Sequence, residues 1–384
     1  MIIGYDAKRA VSNMTGLGNY SRLVTESIAE RHPSWRLLLY TPKLKDNPRL
    51  SHLKDCHNVE FRLPPPQGFS GSLWRSWGLS NNLAADRVDI YHGLSNELPL
   101  NIRSAGVPSV VTVHDVIYRR LPHCYSAIDR LLYDFKYGRS CRNADRIIAV
   151  SRRTKDDIIH YYGIDPDKID VIYQGCDDSF KKILAPEFLE QTRLRLGLPE
   201  RYLLQVGTIE RRKNLELSVR ALSAIKDKEI HLVAVGKDRG YLGYLQKISE
   251  ELGVKARIIY RHDITFADLP AVCQKARAIL YPSLYEGFGI PVIEGLESMR
   301  PVIAATGSCL EEAGGDAAYY VNPDDPRQLA ATIDSVLSEI KEGESIPQRV
   351  IAGKRYTTRF DNATMAENIA KAYEKTIDIW RSRQ

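Results

Sequence analysis

The sequence lacks the features that mark membrane-spanning, secreted and disulfide-stabilised chains. None of its apolar runs approaches the roughly 18 residues that a membrane-spanning helix needs. The opening residues, MIIGYD, show no basic segment followed by a long apolar one, so they predict a β-strand and not a signal peptide. The six cysteines lie far apart and form no Cys-x-x-Cys pair, which argues against a disulfide framework or structural zinc. We therefore expect a cytoplasmic protein of a reducing compartment.

A large net charge is also missing, but the small excess that exists is uneven. The 384 residues include 54 Lys and Arg against 48 Asp and Glu. Residues 1–177 hold 24 of these cations and 19 of these acids, so most of the positive excess lies there. The excess is compatible with anionic substrates or with peripheral contact at the inner membrane surface, and equally with a mildly basic surface without a partner. The cations are scattered and form no recognised motif, so no nucleic acid partner is expected.

Short apolar runs alternate with longer amphipathic stretches, which is typical of βαβ units and parallel sheets. Thirteen runs predict strands: Ile2–Asp6, Leu37–Thr41, Val59–Leu63, Val88–His92, Ser109–His114, Arg146–Ser151, Ile169–Gln174, Tyr202–Gly207, His231–Gly236, Arg257–Tyr260, Ala278–Pro282, Pro301–Ala305 and Ala318–Asn322. Thirteen are too many for one doubly wound sheet, so we predict an α/β protein of two domains, 1–177 and 178–360. The final stretch, about 361–384, is amphipathic with no strand after it, and its periodicity fits packing on either domain.

The candidate sites of the first domain lie in loops after strands, because parallel sheets bind ligands at the carboxyl ends of their strands. Thr15-Gly16-Leu17-Gly18 precedes a helix, and glycines there let backbone N–H groups approach a phosphate. On this segment alone, a flexible loop with a helix start is the better explanation. His114 ends the fifth strand beside Asp115, a position from which it can transfer a proton or bond a substrate hydroxyl. A structural strand-end hydrogen bond is the alternative.

The first loop of the second domain carries three consecutive cations, Arg211, Arg212 and Lys213, before a helix. Positive charge at a helix N-terminus opposes the macrodipole. Charge-assisted bonds to an anion, worth about 1.5–3 kcal/mol each, outweigh that cost. The bidentate fork of arginine and the point charge of lysine suit a diphosphate, whereas a solvated basic turn is the alternative.

The loop after the strand at 278–282 is the most informative stretch. It reads Pro282-Ser283-Leu284-Tyr285-Glu286-Gly287-Phe288-Gly289-Ile290-Pro291-Val292-Ile293-Glu294, with Pro291 expected at the first helical position. Two carboxylates facing a phosphate-binding cavity are costly unless they hold something, and sugar or ribose hydroxyls are good donors to them. Complementing the helix dipole explains Glu294 but not Glu286.

These motifs together resemble those of glycosyltransferase family 4, the glycosyl transferases group 1, which are retaining enzymes with the GT-B fold. The matching segments are Asp6-Ala7-Lys8-Arg9 with Thr15–Gly18, His114-Asp115, Val206–Glu210 with Arg212–Asn214, Val235-Gly236-Lys237, and Pro282-Ser283 running into Glu286–Pro291 and Glu294. The resemblance implies two Rossmann-like domains facing across a cleft, an acceptor-side first domain and a second domain that binds the donor. It also implies that the final helix packs back on the first domain.

The resemblance implies a role for each matching residue. Arg212 and Lys213 would hold the donor diphosphate, aided by backbone around Gly16. Many members carry arginine where this chain has Thr208 and proline where it has Arg211, so phosphate binding here rests on Arg212 and Lys213. The resemblance implies that the transferred sugar contacts His114, Glu286 and the backbone amides of Phe288, Gly289 and Ile290. It implies that Glu294 contacts the ribose.

The implied reaction is metal-independent transfer of a hexosyl group from a nucleotide-diphosphate sugar to a saccharide or lipid-linked acceptor of surface polysaccharide. The form Glu210-x-Arg212-Lys213-Asn214 favours GDP-mannose, by resemblance only. No cofactor is expected, and the Asp-x-Asp at 165–167 lies outside the candidate loops. The alternatives are a sugar-nucleotide epimerase on a GT-B scaffold, a dinucleotide oxidoreductase with an incomplete fingerprint, and a non-catalytic binding module.

Overall fold

The computed structural model describes residues 1–66, 71–340 and 346–383 and divides the chain into two compact units. Unit 1 comprises Met1–Gln174 together with the residues from Phe360 onward, and unit 2 comprises Gly175–Arg359. Each unit contains one parallel sheet, and the fold is α/β in both. The first division falls three residues before the boundary that the sequence predicts.

The sheet of unit 1 has seven parallel strands in the order β3-β2-β1-β4-β5-β6-β7. Their bounds are β1 Ile2–Asp6, β2 Arg36–Tyr40, β3 Val59–Arg62, β4 Ile90–Gly93, β5 Ser109–Val113, β6 Arg146–Ala149 and β7 Ile169–Val171. In the register of the central strands, Tyr5 of β1 lies opposite Leu39 of β2 and His92 of β4. The chain order changes direction between β1 and β4, which makes this pair the switch point of the sheet.

The sheet of unit 2 has six parallel strands in the order β10-β9-β8-β11-β12-β13. Their bounds are β8 Tyr202–Val206, β9 His231–Val235, β10 Ile258–Arg261, β11 Ala278–Tyr281, β12 Val302–Ala305 and β13 Tyr319–Val321. Its switch point lies between β8 and β11. All thirteen predicted runs form strands, most of them ending one to three residues earlier than predicted. The apolar runs are the physical reason, because strands covered on both faces need continuous hydrophobic sequence.

Helices cover both faces of each sheet. In unit 1 they are α1 Lys8–Ser12, α2 Gly16–Arg31, α3 Ser51–Asp55, α4 Gly71–Leu73, α5 Leu79–Ala85, α6 Ile117–Arg120, α7 Ala127–Asn143, α8 Arg152–Tyr162 and, at the end of the chain, α17 Asn362–Arg381. In unit 2 they are α9 Pro186–Arg195, α10 Leu215–Ala224, α11 Leu242–Glu251, α12 Leu269–Lys275, α13 Ile290–Glu297, α14 Leu310–Gly314, α15 Pro326–Glu339 and α16 Gln348–Tyr356. Within the described ranges, no helix is both long and apolar enough to cross a membrane.

The two faces of the unit 1 sheet form separate cores because side chains alternate along each strand. On β2, Leu37 and Leu39 join the core that includes α2 and α17, whereas Leu38 and Tyr40 join the core on the other face. The helix α17 belongs to the first of these cores through Met365, Ile369, Tyr373 and neighbouring residues. Its periodicity left the choice of domain open, and the packing against α2 decides it.

Candidate active site

The switch point of unit 2 positions both motifs that the sequence singles out in this unit. The loop after β8 runs from Gly207 to Asn214, and the loop after β11 runs from Pro282 to Gly289. The strands β8 and β11 are neighbours in the sheet although β9 and β10 separate them in the chain. Ligands of doubly wound sheets bind at the carboxyl ends of such strands, so the two loops form the candidate donor site.

Hydrogen bonds hold the two loops together. The backbone N–H of Leu284 donates to the carbonyl of Arg212 at 2.9 Å. The side-chain amide of Asn214 donates to the carbonyls of Pro282 at 3.1 Å and Pro323 at 2.8 Å. Asn214 has a φ of 54°, a left-handed conformation that asparagine tolerates better than most residues. It therefore ends the turn Arg211–Lys213, begins α10 and fixes the position of the neighbouring loop.

The structure brings Arg212, Lys213 and Glu286 into direct contact. The Nζ atom of Lys213 donates to Oε1 of Glu286 at 2.6 Å, and Nη1 of Arg212 lies 2.9 Å from the same oxygen. Lys213 also donates to the Tyr281 hydroxyl at 2.8 Å, and Arg212 donates to Glu210 at 2.8 Å. All three side chains of the cluster are largely buried, whereas Arg211 on the same turn is exposed. The three predicted cations thus divide into two that face the site and one that faces solvent.

In this cluster, burial and the neighbouring opposite charges shift the pKa values of the side chains in opposite directions. Burial by itself raises the pKa of Glu286, but the charges of Arg212 and Lys213 outweigh it and lower the pKa to about 2. Burial lowers the pKa of Lys213 in spite of the adjacent Glu286 carboxylate. A buried ion pair is weak evidence for stability, because desolvation of the charges offsets most of the attraction. The cluster is better explained as a group of charges kept in place for a polar, charged ligand.

Glu294 occupies a different environment on the same helix. It lies on the second turn of α13 and is buried, and burial together with the nearby Asp177 charge raises its pKa to about 8. The side chain is therefore a neutral acid near pH 7, able both to donate and to accept a hydrogen bond. The two glutamates of the motif, eight positions apart, consequently have pKa values shifted in opposite directions.

The loop that carries Glu286 leads directly into α13, whose first backbone N–H groups follow Gly289. Gly289 caps the helix with a φ of 124°, and a Cβ at this position would lie 2.7 Å from Leu310. Pro291 is the second residue of the helix, one position later than the sequence predicts. The Cys309 Sγ atom lies 3.0 Å from the Glu286 carbonyl and 2.9 Å from the Phe288 carbonyl, so its single S–H is shared between them and links the loop to Cys309. The first N–H groups of a helix have no acceptor within it and suit oxygen atoms of a ligand.

The segment Val235-Gly236-Lys237 lies against the loop after β8. A Cβ on Gly236 would lie 1.9 Å from the carbonyl oxygen of Gly207, so only glycine allows the two backbones to approach this closely. Ile209 pairs with Asp238 as an isolated parallel bridge, and its N–H donates to the Lys237 carbonyl at 2.9 Å. The loop after β9 therefore supports the cation-bearing loop after β8.

In unit 1, His114 directly follows β5 and is almost completely buried. Its Nε2 lies 2.9 Å from the Leu94 carbonyl, so this nitrogen carries the proton and Nδ1 is an acceptor. The Asn96 side chain accepts from the His114 backbone at 2.7 Å, and the Tyr20 ring packs edge-on at 4.6 Å. Burial, opposed by the Leu94 carbonyl and aided by the charge of Arg9, lowers the pKa of His114 to about 4. At neutral pH it is a hydrogen-bonding group and a weak base.

A buried series of hydrogen-bonded polar side chains near His114 was not predicted from the sequence. His92 contacts the Tyr373 hydroxyl through Nδ1 at 2.6 Å and the Thr112 hydroxyl through Nε2 at 2.8 Å. Tyr20 reaches the same Thr112 hydroxyl at 3.0 Å, and Tyr373 donates to Tyr5 at 3.1 Å. Burial, with the nearby His114, lowers the pKa of His92 to about 3, so a neutral imidazole completes the series. No local pattern identifies it, because Tyr373 comes from the far end of the sequence.

The segment around Gly16 differs in part from the expected loop. Residues Lys8–Ser12 form α1, and α2 begins at Gly16 itself. A Cβ on Gly18 would lie 1.8 Å from the Asn13 carbonyl oxygen, whereas Gly16 is exposed with open space around it. Glycine is therefore required at 18 for packing. The exposed N-terminus of α2 at Gly16 has the orientation that attracts an anion.

A second cluster at the carboxyl edge of the unit 1 sheet also escaped sequence reasoning. Arg75 forms ion pairs with Asp6 at 2.7 Å and Glu97 at 2.6 Å, and Lys136 approaches Glu97 at 3.7 Å. Asp6 ends β1 and begins the matching segment 6–9, so its carboxylate orients Arg75. In the described part of the chain, no three His, Cys, Asp or Glu side chains are grouped so that they could hold a metal ion.

Comparisons with known proteins agree with this architecture. The profile of Glycosyltransferase Family 4 matches residues 15–180, and the profile of Glycosyl transferases group 1 matches residues 190–351. The O-antigen chain mannosyltransferase RfbU of Salmonella typhimurium is 30% identical over 264 residues, which cover 67% of each chain. The chain belongs to the family 4 (group 1) glycosyltransferases.

Further matches extend over most of this glycosyltransferase. The O-antigen chain mannosyltransferase B of Escherichia coli is 29% identical over 248 residues, which cover 64% of each chain. The crystal structure of HepE from Anabaena in complex with UDP and glucose superposes with a TM-score of 0.76 at 19% identity, covering 97% of this chain and 99% of HepE. The glycosyltransferase thus has the GT-B fold, with two Rossmann-like domains.

Proposed function

We propose that this glycosyltransferase moves a mannosyl group from GDP-mannose to a saccharide or lipid-linked acceptor, with retention of configuration, in the synthesis of surface polysaccharide or glycoconjugate. The two relatives at 30% and 29% identity, both named O-antigen chain mannosyltransferases, support the choice of mannose and of acceptor class. The observation that carries the proposal is the contact of Arg212 and Lys213 with Glu286 at the switch point of unit 2.

The donor-binding roles follow from the charges and hydrogen-bonding groups of this cluster. Arg212 and Lys213 bind the diphosphate, and the exposed N-terminus of α2 at Gly16 contributes backbone N–H groups to a phosphate. Glu294, a neutral acid at pH 7, bonds the ribose hydroxyls. The acceptor nitrogen of His114 bonds a hydroxyl of the donor sugar.

Glu286 orients the transferred sugar together with backbone amides. Its carboxylate accepts hydrogen bonds from sugar hydroxyls, and the N–H groups of Phe288, Gly289 and Ile290 donate to the same sugar. The thiol of Cys309 keeps these amides in position. Glu286 is an orienting group and not a nucleophile, because two cations hold its carboxylate.

The reaction breaks the bond between C1 of the sugar and the phosphate oxygen through an oxocarbenium-like state. Arg212, Lys213 and the α13 N-terminus stabilise the negative charge that develops on the departing diphosphate. The acceptor hydroxyl forms the new bond to C1 on the same face, and its proton passes to the leaving phosphate. The products are the glycosylated acceptor and the nucleoside diphosphate.

We further propose that transfer needs neither a metal ion nor a cofactor and takes place in the cytoplasm at the inner membrane surface. Arg212 and Lys213, both largely buried, would supply the positive charge that a metal ion would otherwise bring to the diphosphate. Full activity in the presence of EDTA tests the first statement, and a rate that rises on adding Mg²⁺ or Mn²⁺ contradicts it.

Thermal unfolding with GDP, UDP, ADP, NAD or no ligand tests the donor assignment. A ligand at 100 times its dissociation constant adds about 2.7 kcal/mol of stability. We expect GDP alone among these to raise the midpoint, and transfer from GDP-mannose to a lipid-linked saccharide to follow. Stabilisation by UDP or ADP would instead assign uracil or adenine as the base of the donor nucleotide. Stabilisation by NAD alone overturns the transferase assignment.

Two variants on one turn sharpen this test. Lys213→Ala removes a buried cation that contacts Glu286, whereas Arg211→Ala removes an exposed cation two positions earlier. The first variant should weaken GDP binding about tenfold to a hundredfold, because one charge-assisted bond is worth about 1.5–3 kcal/mol. The second should leave GDP binding nearly unchanged. Equal affinities of both variants would disprove the assigned diphosphate site.

A further inference from the structure

The 17-residue helix α7 of unit 1 exposes an apolar stripe. Ile128, Leu131, Leu132 and Phe135 lie at i, i+3, i+4 and i+7, which is one face of a helix. Their exposed fractions are 81%, 75%, 46% and 54%. Single exposed apolar residues are ordinary on a protein surface, but a contiguous stripe of four large side chains marks an interaction surface.

The opposite face of α7 packs against other residues of unit 1, so the fold fixes the orientation of the stripe. Tyr133 and Tyr137 stack on each other at 5.5 Å and pack around Tyr118 at 5.8 Å. The Ser140 hydroxyl accepts from the backbone of Leu98 at 3.0 Å. The Ser126 side chain caps the first turn by accepting from Asp129 at 3.1 Å. Aromatic packing, the Leu98 bond and the capped first turn thus hold the helix through residues other than the four of the apolar stripe.

The same outward face becomes basic toward the end of the helix. Arg139 and Arg142 follow Phe135 at i+4 and i+7 and are both exposed. The helix contains four cations against two acids. One of the acids, Asp134, is neutralised by Arg119 at 2.5 Å. The exposed face therefore combines an apolar half with a cationic half.

We propose that the outward face of α7 is a docking surface for an anionic lipid bilayer. The four apolar side chains insert at the boundary between headgroups and acyl chains, and Arg139 and Arg142 meet lipid phosphates. Charge favours this occupant, because the exposed Arg139 and Arg142 complement lipid phosphates, whereas a second copy would bring the same two cations to the contact. The proposal identifies the surface that would contact the membrane named in the proposed function, and it depends on that function only for the idea that the acceptor is lipid-linked.

Co-sedimentation of the purified full-length protein with vesicles tests the proposal without donor or acceptor. The vesicles consist of phosphatidylcholine with or without phosphatidylglycerol. We expect binding to the anionic vesicles that weakens as salt is raised, because screening acts on exposed charges. The double substitution Leu131→Ser with Phe135→Ser should lower the partition coefficient at least about tenfold, since it removes most of two inserted side chains.

The matched control is Ile183→Ser with Leu194→Ser. These unit 2 residues have exposed fractions of 80% and 62%, close to those of the α7 stripe, and their substitution should leave vesicle binding unchanged. Arg142→Gln should lower binding to anionic vesicles about fivefold and leave binding to neutral vesicles unaltered. Unfolding midpoints of all variants, which should match the parent, separate loss of binding from loss of folding.

Three outcomes overturn the proposal. The first is no binding to anionic vesicles, and the second is an equal loss of vesicle binding in the α7 and control variants. The third is a dimer in light scattering that the α7 substitutions disperse, in a protein that binds no vesicles. The last outcome identifies a second copy as the occupant. Because stabilisation by nucleoside diphosphate is measured separately, a failure of vesicle binding leaves the donor assignment standing, and a failure of donor binding leaves the docking surface standing.

Discussion

The Nζ atom of Lys213 lies 2.6 Å from Oε1 of Glu286, and both side chains are largely buried at the point where β8 and β11 end. The carboxylate also contacts Arg212, so one negative charge offsets part of the positive charge that would bind a diphosphate. In the proposed donor site, this arrangement would moderate the affinity for the nucleoside diphosphate, which is both part of the donor and a product. It would also keep an acceptor oxygen beside the hydroxyls of the transferred sugar.

Glu286→Gln should therefore separate product binding from catalysis. The amide keeps the shape of the side chain and an oxygen for Lys213, but it removes the negative charge. We expect binding of the nucleoside diphosphate to tighten about tenfold, or ~1.4 kcal/mol. The kcat/KM for transfer should fall about tenfold to a hundredfold, because a charge-assisted bond to the sugar is lost. Calorimetric titration and transfer kinetics measure the two effects.

Glu210→Gln is the matched control for that substitution, since Glu210 also accepts a hydrogen bond from Arg212, at 2.8 Å, but is more exposed. Both effects should be much smaller in the control. If transfer by the Glu286 variant proceeds at the parental rate, Glu286 does not orient the sugar.

Glu294→Gln should stabilise the protein in a pH-dependent way. The folded-state pKa of Glu294 is raised to about 8 by burial and by Asp177, above the 4.5 of an unperturbed glutamate. Between these values the unfolded chain releases a proton that the folded chain keeps, so the parent loses stability as pH rises. Relative to the parent, the variant should gain up to about 1.4 kcal/mol per pH unit across this window. Denaturant unfolding from pH 5 to pH 8 measures the gain.

The exposed Glu251, on α11, provides the comparison. Glu251→Gln should change the free energy of unfolding by less than about 0.5 kcal/mol at every pH in this range. A gain for Glu294→Gln that stays constant between pH 5 and pH 8 would show that the carboxyl is already ionised in the folded state.

His114 should remain neutral throughout the physiological range. Burial lowers its pKa to about 4, in spite of the Leu94 carbonyl that accepts from Nε2. The ring proton resonances of His114 in NMR spectra should therefore stay constant from pH 5.5 to pH 8, whereas an unperturbed histidine titrates near 6.5. His114→Ala should lower kcat/KM about threefold to tenfold, the value of one neutral hydrogen bond. A midpoint near 6.5 would refute the assignment of a neutral acceptor.

Tyr373→Phe should destabilise unit 1 by about 1–3 kcal/mol, because it leaves the His92 ring nitrogen and the Tyr5 hydroxyl without their buried partner. Tyr244→Phe provides the matched control. Its hydroxyl donates to Glu216 at 3.2 Å from a half-exposed position, so its removal should cost less than about 0.5 kcal/mol. Equal effects in chemical denaturation would mean that the series through His92 contributes nothing beyond an ordinary surface contact.

Much of the fold could be predicted because its strands are locally encoded. Each of the thirteen strands lies on a short apolar run such as Ser109–Val113. A strand that is buried on both faces requires such a continuous apolar sequence. The ends were predicted less well. Residues Lys8–Ser12 form a helix where a loop was expected, and α13 starts one residue before Pro291. Such boundaries depend on capping and on the packing of neighbouring segments, which no single window of sequence contains.

The candidate site was predicted in part. The cations, the carboxylates and the glycines were identified by residue type and motif, but the order of strands makes neighbours of the loops that carry Lys213 and Glu286. Asn214, named in the motif without a role, and Tyr281 and Cys309, which were missed, position the same loops through contacts that span 21 to 109 residues. Asn214 could have been suspected, because asparagine before a helix often adopts the left-handed conformation.

The sequence by itself determined the class of the protein, the number of strands, the presence of two Rossmann-like domains and the residues that we propose bind a diphosphate. These properties depend on local periodicity and on short motifs. Only the tertiary structure decided that Glu286 is ionised while Glu294 is neutral, that His92 and Tyr373 meet in one core, and that the apolar face of α7 points outward. The reason is that burial and electrostatic partners are properties of a residue's surroundings in the folded chain, and residue type alone does not contain them.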